Sequence, residues 1–328
     1  MSGLTRKYVK KVLERMRDKR VVVIGDFMLD RYIWGEVSRI SPEAPVVVVE
    51  ANEDAQRPGG AGNVVLNLTS LGASCDAIGL IGDDENGRNL VQLLEQHGAN
   101  TEGMIVANDR PTTVKTRVIA GNQQLLRVDR EKKGEAAVNV QGQLVERVRG
   151  AIESADAVIL QDYNKGLLTA SLIRETIAVA SEYDVPVMVD PKSNHFFEYQ
   201  HATLFKPNLR EAENALGVEL HKTAEVEQAC RELKDRLQAE AVLITRGSQG
   251  MMLLDGDNNP VHVEPKPRRI SDVSGAGDTV ISTITLAMIS GLDGAKAVRL
   301  ATHAAEYVVG RVGVVPITPE DLLNQVEG

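Results

Sequence analysis

The segment 272–279, with the sequence DVSGAGDT, combines small residues with a carboxylate directly before apolar residues at helical spacing. Gly275 and Gly277 allow the backbone to approach a ligand closely, and the first free N–H groups of a helix attract an anion. Asp278 in the first turn could accept a proton from a substrate hydroxyl while those N–H groups stabilise charge on a transferred phosphoryl group. The same spacing also fits a tight loop before a helix with an acidic start.

A second glycine-rich segment, RPGGAGN at 57–63, also leads into a helical pattern. Gly59 and Gly60 permit positive φ and close approach, and Asn63 offers a donor and an acceptor to a polyhydroxylated ligand. No Lys-Ser/Thr pair follows, so the segment is not a Walker A loop, and the spacing of a dinucleotide fingerprint is absent. A plain helix start explains the segment as well as a ligand-binding loop does.

Two carboxylates, Asp26 and Asp30, lie at the end of the first predicted strand, 21–30. Ligands of open α/β sheets bind outside this end of the strands. Residues four apart on one strand face the same way, so both carboxylates are predicted to point into one crevice. Ion pairs with Arg31 and Arg39 would explain the same residues without a ligand.

Asn208 and Glu211 form a third candidate pair, at the end of a predicted strand. Their spacing places them on one helix face, where they could hold hydrated Mg²⁺ beside phosphates. An N-cap asparagine with glutamate three residues later also fits a capping box. Both interpretations remain open from these residues alone.

Basic residues near predicted strand ends could capture a sugar phosphate. Lys165 and Lys192 are the strongest candidates, because each follows the end of a buried parallel strand. The full set is Arg31, Arg39, Lys115, Arg117, Arg127, Lys165 and Lys192.

Composition narrows the classes of function. The 328 residues are 43% hydrophobic and 25% charged, as in ordinary globular proteins. The net charge of −9 disfavours nonspecific binding to nucleic acid or anionic membranes. Cys75 and Cys230 are too few for a disulfide framework or a four-cysteine zinc site. Neither a signal peptide nor a membrane span is recognisable, so we expect a cytoplasmic protein.

The elements that must position these residues alternate between strands and helices, which predicts a doubly wound α/β fold with a mostly parallel sheet and helices on both faces. The segments 32–50 and 111–131 break this alternation and suit a small antiparallel β lid. We expect a single domain over 1–328. Strands are predicted at 21–30, 75–82, 157–162, 185–190, 202–208, 241–247 and 250–256, and helices at 59–72, 86–96, 138–154, 169–182, 223–238, 276–290, 294–310 and 319–327.

Together, the segments 59–63 and 272–279 resemble the two signatures of the ribokinase-like, PfkB-type carbohydrate kinases, and the resemblance extends over nearly the whole chain. It implies that Asp278 is the catalytic base and that the N–H groups of Gly275, Ala276, Gly277 and Asp278 form an anion hole. The remaining roles that it implies are those of Asn208 and Glu211, which hold Mg²⁺ through water, and of Thr245 to Gly247, which lie under the nucleotide. It also implies that the lid covers the sugar and mediates a homodimer.

A narrower resemblance is to the D-glycero-β-D-manno-heptose 7-phosphate kinases of lipopolysaccharide core synthesis. It is carried by GDFMLDRY at 25–32, SRISPEAP at 38–45, QQLLR at 123–127, DYNKG at 162–166 and VDPK at 189–192. It implies ATP-dependent phosphorylation of the anomeric C1 hydroxyl to the 1,7-bisphosphate, in ADP-heptose synthesis.

In some bacteria such kinases are fused to an adenylyltransferase with a His-x-Gly-His site. None of the six histidines here forms that motif, so we expect no adenylyltransferase domain. Predicted substrate contacts are Asp26, Asp30, Gly59, Gly60, Asn63, Arg117, Lys165, Lys192 and Asp278. A kinase for another sugar and a nucleotide-regulated sugar-phosphate sensor are the alternatives, and a dehydrogenase is disfavoured by the missing fingerprint.

Overall fold

A computed structural model describes residues 4–121, 123–256, 259–266, 272–311 and 313–326. Residue 122 of the predicted lid and residue 327 of the last predicted helix lie outside these ranges. The strands are β1 (Arg20–Gly25), β2 (Phe27–Ile40), β3 (Val47–Gly60), β4 (Ser74–Gly82), β5 (Asn100–Ala107), β6 (Val114–Ala120), β7 (Gln123–Arg130), β8 (Ala157–Gln161), β9 (Val187–Asp190), β10 (Leu204–Phe205), β11 (Ala241–Thr245), β12 (Met251–Leu254) and β13 (Pro260–Val263).

The main sheet has the strand order β13-β12-β11-β10-β9-β8-β1-β4-β5 within the described ranges. All pairings from β11 to β5 are parallel, while β12 and β13 add antiparallel strands at one edge. The carboxyl ends of the parallel strands therefore meet at one edge of the sheet, where ligands of such folds bind. This confirms the predicted α/β architecture.

Helices cover both faces of this sheet, because its central strand is apolar on both sides. Val21 and Val23 of β1 pack in one buried cluster with α1, α2, α3, α8, α9 and α10, whereas Val22 and Ile24 pack in another with α4 to α7. The helices are α1 (Arg6–Met16), α2 (Ala61–Ser70), α3 (Glu85–Gln96), α4 (Val138–Ile152), α5 (Ala170–Glu182), α6 (Leu209–Leu216), α7 (Thr223–Leu237), α8 (Ala276–Ile289), α9 (Gly294–Val309) and α10 (Pro319–Gln325).

The predicted lid is a second sheet of four strands in the order β3-β2-β6-β7. Its outer pairs, β2 with β3 and β6 with β7, are antiparallel, as expected. The central pairing of β2 with β6 is parallel, which corrects the expectation of an antiparallel lid throughout. We refer to this four-stranded sheet as the lid.

The predicted strand 21–30 is two strands that belong to different sheets. The chain leaves the main sheet at Asp26, whose carbonyl accepts the N–H of Ala61 at the start of α2 (3.0 Å). The apolar run continues on both sides of this break, so hydrophobicity alone does not reveal it. The four-residue spacing of Asp26 and Asp30 therefore does not place them on one strand.

The predicted strand 202–208 is likewise shorter, with only Leu204–Phe205 in regular pairing. Pro207 has no N–H to donate, and Asn208 begins the capping of α6. The lid strand β2 starts earlier and β3 ends later than predicted, and strands β5 and β13 were not predicted. The helix implied by the capping pattern at Asn208 and Glu211 is the short helix α6. In the described part of the chain, no helix has the length and apolar character to cross a membrane.

Candidate active site

Asp278 lies in the first turn of α8 and is only 5% exposed. The helix starts after Gly275, which has a φ of +78°. A Cβ at this position would lie 2.6 Å from Nδ2 of Asn63. Glycine is therefore required both by the left-handed backbone and by the approach of α2 to α8.

Three side-chain donors surround the Asp278 carboxylate. Asn63 Nδ2 donates to Oδ2 (2.7 Å), and Oδ1 accepts from the Tyr163 hydroxyl (2.6 Å) and from Gln161 Nε2 (3.2 Å). Burial raises the pKa of Asp278 to about 6, against the opposing effect of the Tyr163 and Asn63 hydrogen bonds. The carboxylate is therefore ionised at neutral pH, and its pKa is close enough to neutral pH for it to act as a general base.

A buried ion pair stands beside the start of α8. Lys206 is 2% exposed, and its Nζ lies 3.0 Å from Oδ2 of Asp190. A Cβ built at Gly277 would be 3.7 Å from that Nζ, so the ammonium group adjoins the first turn of the helix. Helix N–H groups and a buried cation together favour a phosphoryl group at this place.

Sequence reasoning did not assign roles to Gln161, Tyr163, Asp190 and Lys206. All four lie at or just after the carboxyl ends of β8, β9 and β10, and Asp278 lies opposite them. Polar residues at the ends of consecutive parallel strands were the available signal.

Asp30 and Gly59 lie against each other where the lid joins α2. A Cβ on Gly59 would overlap the Asp30 carboxylate, so glycine makes room for that side chain. Asp30 is 5% exposed and accepts from Nη1 of Arg117 across the lid (2.5 Å). Gly60 is the residue before α2.

Asp26 has a different environment from the one predicted. Its Oδ2 accepts the backbone N–H groups of Tyr163 (2.8 Å) and Lys165 (3.0 Å), and its Oδ1 accepts that of Leu167 (3.4 Å). Burial and the nearby Asp162 raise the pKa of Asp26 to about 6. Its carboxylate thus holds the segment 163–167 rather than sharing a crevice with Asp30.

Asn208 and Glu211 form the capping box of α6. Asn208 Oδ1 accepts the N–H of Glu211 (2.9 Å), and Glu211 Oε2 accepts the N–H of Asn208 (2.8 Å). The other oxygen of Glu211 contacts Lys192. The capping box that the spacing suggested is therefore present, and the contact with a metal ion stays a prediction.

The pair could still serve a hydrated ion. Within the described ranges, no three His, Cys, Asp or Glu side chains converge as a metal cage. Mg²⁺ that keeps its waters beside phosphates needs only one or two carboxylates, and Glu211 supplies one. Thr245 adjoins this place, because its N–H donates to the carbonyl of Pro207 (3.1 Å), and Gly247 opens the short turn that follows.

The cations predicted to hold a phosphate already have acidic partners. Arg117 pairs with Asp30, Lys165 with Glu131 (2.7 Å), and Lys192 with Glu211. Each of these three cations therefore has a counter-charge in the absence of a phosphate. The partners come from other elements and are distant in sequence, so spacing could not reveal them.

Lys115 differs from these cations. On the lid it is directly opposite Asp30 on one side and Asp129 on the other, which places the three on one sheet face. It is half-buried, and no side-chain partner for its ammonium group occurs among the described residues. Burial and the nearby Lys165 lower its pKa. We call this side of the lid the inner face.

The inner face is directed toward the main sheet. Arg57, opposite Asp30 in the sheet, donates to the carbonyl of Val314 (2.5 Å). Tyr32 stacks on Trp34 with ring centroids 5.3 Å apart. A buried aromatic and several cations thus form one wall beside Asp30.

Comparison with known proteins gives a consistent assignment. The pattern described as pfkB family carbohydrate kinase matches residues 18–321. Two curated relatives, each named bifunctional protein HldE, are 39% identical over 98% of this chain (Pelobacter propionicus) and 44% identical over 94% (Desulfatibacillum aliphaticivorans). The chain spans only 66% and 63% of their lengths.

Solved structures share the fold at low identity. Phosphofructokinase-2 from Escherichia coli in complex with potassium has a TM-score of 0.81 at 21% identity, covering 94% of this chain and 98% of that one. Ribokinase from Arabidopsis thaliana complexed with ribose and ATP has a TM-score of 0.74 at 20% identity, covering 95% and 99%. This likeness establishes the ribokinase-like fold.

Two glycine substitutions, one at the start of α8 and one in α4, are predicted to have opposite effects on the free energy of unfolding. Gly275→Ala should lower the free energy of unfolding by about 1–2 kcal/mol or more, because alanine is strained at this φ and its Cβ crowds Asn63. Gly142→Ala, in the exposed middle of α4 with open space around it, should raise it by about 0.5–1 kcal/mol. Urea unfolding measures both, and equal effects would contradict the assignment of Gly275.

Proposed function

The chain belongs to the pfkB family of carbohydrate kinases, and we propose that it transfers the γ-phosphoryl group of ATP to the anomeric C1 hydroxyl of D-glycero-β-D-manno-heptose 7-phosphate, giving the 1,7-bisphosphate. The observation that carries the kinase chemistry is the buried Asp278 carboxylate at the start of α8, beside the Lys206 ammonium group. The heptose assignment rests on the motifs that resemble this group of kinases.

In this proposal Asp278 removes the proton of the acceptor hydroxyl. The hydroxyl oxygen attacks the γ-phosphorus, the bond to the β,γ-bridging oxygen breaks, and ADP leaves with that electron pair. Asn63 and Tyr163 fix the carboxylate through different oxygens, so its orientation is set before substrate binds. The proton ends on Asp278 and is later released to solvent.

The start of α8 stabilises the phosphoryl group during transfer. The N–H groups of Gly275, Ala276 and Gly277, with that of Asp278, would bind its oxygens, and Lys206 would offset their charge. Lys206 is buried and paired with Asp190, so its position is fixed in advance. Positioning and charge neutralisation then supply most of the catalysis.

The nucleotide would lie toward β10 and β11. Asn208 and Glu211 would hold Mg²⁺ through water, with Thr245 and Gly247 beneath the nucleotide. Bound Mg²⁺ neutralises charge on the β- and γ-phosphates. Lys192, which contacts Glu211, would lie close to those phosphates.

The acceptor sugar would lie between the inner face of the lid and the turn at Gly59 and Gly60, with Asp30 and Asn63 on its hydroxyls. Lys115 supports a phosphorylated acceptor, because it is a half-buried cation without a side-chain partner in the described ranges and has Lys165 nearby. We therefore propose that the 7-phosphate meets Lys115 first. Lys165 and Arg117 would contribute by exchanging their present partners.

The outward face of the lid supports a homodimer. Leu126 of β7 is directly opposite Val118 of β6, which is opposite Ile33 of β2, so an apolar row crosses the sheet. Leu126 is 48% exposed and its neighbour Val128 is 54% exposed. A second copy that presents the same face would cover this row and Val128, since a two-fold interface is self-complementary.

The base assignment predicts a large loss for Asp278→Asn, which keeps the shape but removes the proton acceptor. We expect kcat to fall about 10²–10⁴-fold with ADP affinity retained, measured by coupled ADP release and calorimetry. Asp235→Asn, on exposed helical surface, is the control. Near-normal turnover in Asp278→Asn would overturn the assignment.

The phosphate site predicts a substrate-dependent effect of Lys115→Met. Loss of one charge-assisted contact should lower kcat/KM about 10–100-fold for heptose 7-phosphate and leave the unphosphorylated heptose nearly unaffected. Lys133→Met, an exposed lysine just beyond the lid, is the control. Equal loss on both sugars would exclude Lys115 as the phosphate ligand, and wild-type preference for ribose or fructose 6-phosphate would exclude the heptose assignment.

The lid contact predicts that Leu126→Asp converts a dimer into a monomer, because a buried carboxylate without a partner opposes association. Light scattering after gel filtration measures the mass. Val138→Asp is the control, since Val138 is 86% exposed and lies on α4, away from the lid. A monomeric wild type, or a variant that remains dimeric, would contradict the interface.

A further inference from the structure

We infer that Tyr163 is a positioning residue for Asp278 and that the buried Asp26 carboxylate keeps Tyr163 in place. The inference rests on the proposed function, in which Asp278 is the base. It assigns a role to a segment, 163–167, that lies just after β8 and before α5.

The side chains of Tyr163 and Asp278 are in direct contact. The Tyr163 hydroxyl is 2.6 Å from Oδ1 of Asp278, shorter than the contact of Gln161 with the same oxygen (3.2 Å). Burial and the adjacent Asp278 raise the pKa of Tyr163 well above its ordinary value, so the hydroxyl stays protonated and donates. Asn63 occupies the other oxygen. The carboxylate therefore cannot rotate without losing a hydrogen bond.

The segment that carries Tyr163 is anchored by buried carboxylates. Asp26 accepts the backbone N–H of Tyr163 itself, together with those of Lys165 and Leu167. Between them, Asn164 has a φ of +55°, a turn that directs neighbouring N–H groups toward one anion. The adjacent Asp162 accepts from the N–H of Asn164 (2.7 Å) and from the Tyr199 hydroxyl (2.8 Å). Two buried carboxylates thus define the backbone of the segment.

The ring of Tyr163 has a partner of its own. Lys192 Nζ lies 5.7 Å from the centroid of the Tyr163 ring, within range of a cation–π contact. The hydroxyl, the backbone N–H and the ring of Tyr163 are therefore each held by a different partner. Such restraint is expected of a side chain whose orientation determines that of its neighbour.

The effect of the Tyr163 hydrogen bond can be measured through the titration of Asp278. The charged groups facing Asp278 include Asp190 at the end of β9, which raises its pKa, and Lys206 after β10, which lowers it. The Lys192 ammonium group, just after β9, also interacts with the Asp278 charge. The Tyr163 hydrogen bond lowers the pKa of Asp278 as well. Activity is lost as the pH falls through the pKa of the base, so removal of the hydroxyl should move this loss to higher pH.

The test is the pH dependence of kcat/KM for Tyr163→Phe. We expect the acidic limb to rise by about one pH unit, so that the loss at about pH 5.5 exceeds the loss at about pH 8.5 by about tenfold. The KM for ATP should stay within about twofold of the wild type, since the hydroxyl binds no nucleotide. Tyr183→Phe is the control, because Tyr183 lies on the surface and is 46% exposed.

Asp26→Asn tests the anchor, because it replaces one acceptor oxygen by an NH2 group that cannot accept, so at least one of the three hydrogen bonds is lost together with the negative charge. It should shift the limb in the same direction and add little to Tyr163→Phe in the double variant, as expected for residues that act through one contact. If Asp26→Asn does not fold, hydrogen exchange in the wild type replaces it, and the amides of Tyr163 and Lys165 should exchange slowly.

The outcomes are distinguishable. An unshifted limb in Tyr163→Phe would overturn the positioning role, even if Asp278→Asn is inactive and the proposed function stands. Additive shifts in the double variant, or fast exchange of the two amides, would overturn the role of Asp26. Full activity of Asp278→Asn would instead remove the proposed base.

Discussion

A carboxylate that is buried at the start of a helix has to keep its charge with little help from water, and much of the architecture around Asp278 satisfies that requirement. Its donors come from α2, from the end of β8 and from the segment after β8. Each charge-assisted hydrogen bond contributes about 1.5–3 kcal/mol, and the helix start favours negative charge as well. These contributions offset a desolvation penalty that would otherwise neutralise the group.

The same requirement explains why the polar residues lie in consecutive strand ends. Gln161 Nε2 donates to Asp278 and also to Asp190 (3.0 Å), and Asp190 in turn pairs with Lys206. Neutral Gln161 thus bridges two buried carboxylates, and the Lys206 ammonium group offsets part of their charge. Removing one member would leave the next uncompensated, which is why such networks are costly to interrupt.

The sequence predicted the main sheet and the two glycine-rich segments, because apolar runs and glycine spacing are local signals. It did not predict that Gln161, Tyr163 and Lys206 share a site, since that depends on which strands become neighbours. Asp26 was assigned to a ligand because the apolar run hides the change of sheet at that residue. Similarly, the partners of Lys165 and Lys192 come from distant segments, Glu131 and Glu211, so both cations looked unpaired.

The lid is a single layer, and this has a consequence for its sequence. In β2, Asp30 and Tyr32 face the main sheet, whereas Arg31 and Ile33 face outward. Alternate residues therefore belong to two different surfaces, and no hydrophobic interior separates them. Deleting one residue near the start of β2 would exchange the two surfaces along the strand. Residue types on one surface of β2 can therefore change independently of those on the other. The number of residues near the start of β2, in contrast, is constrained by both surfaces at once.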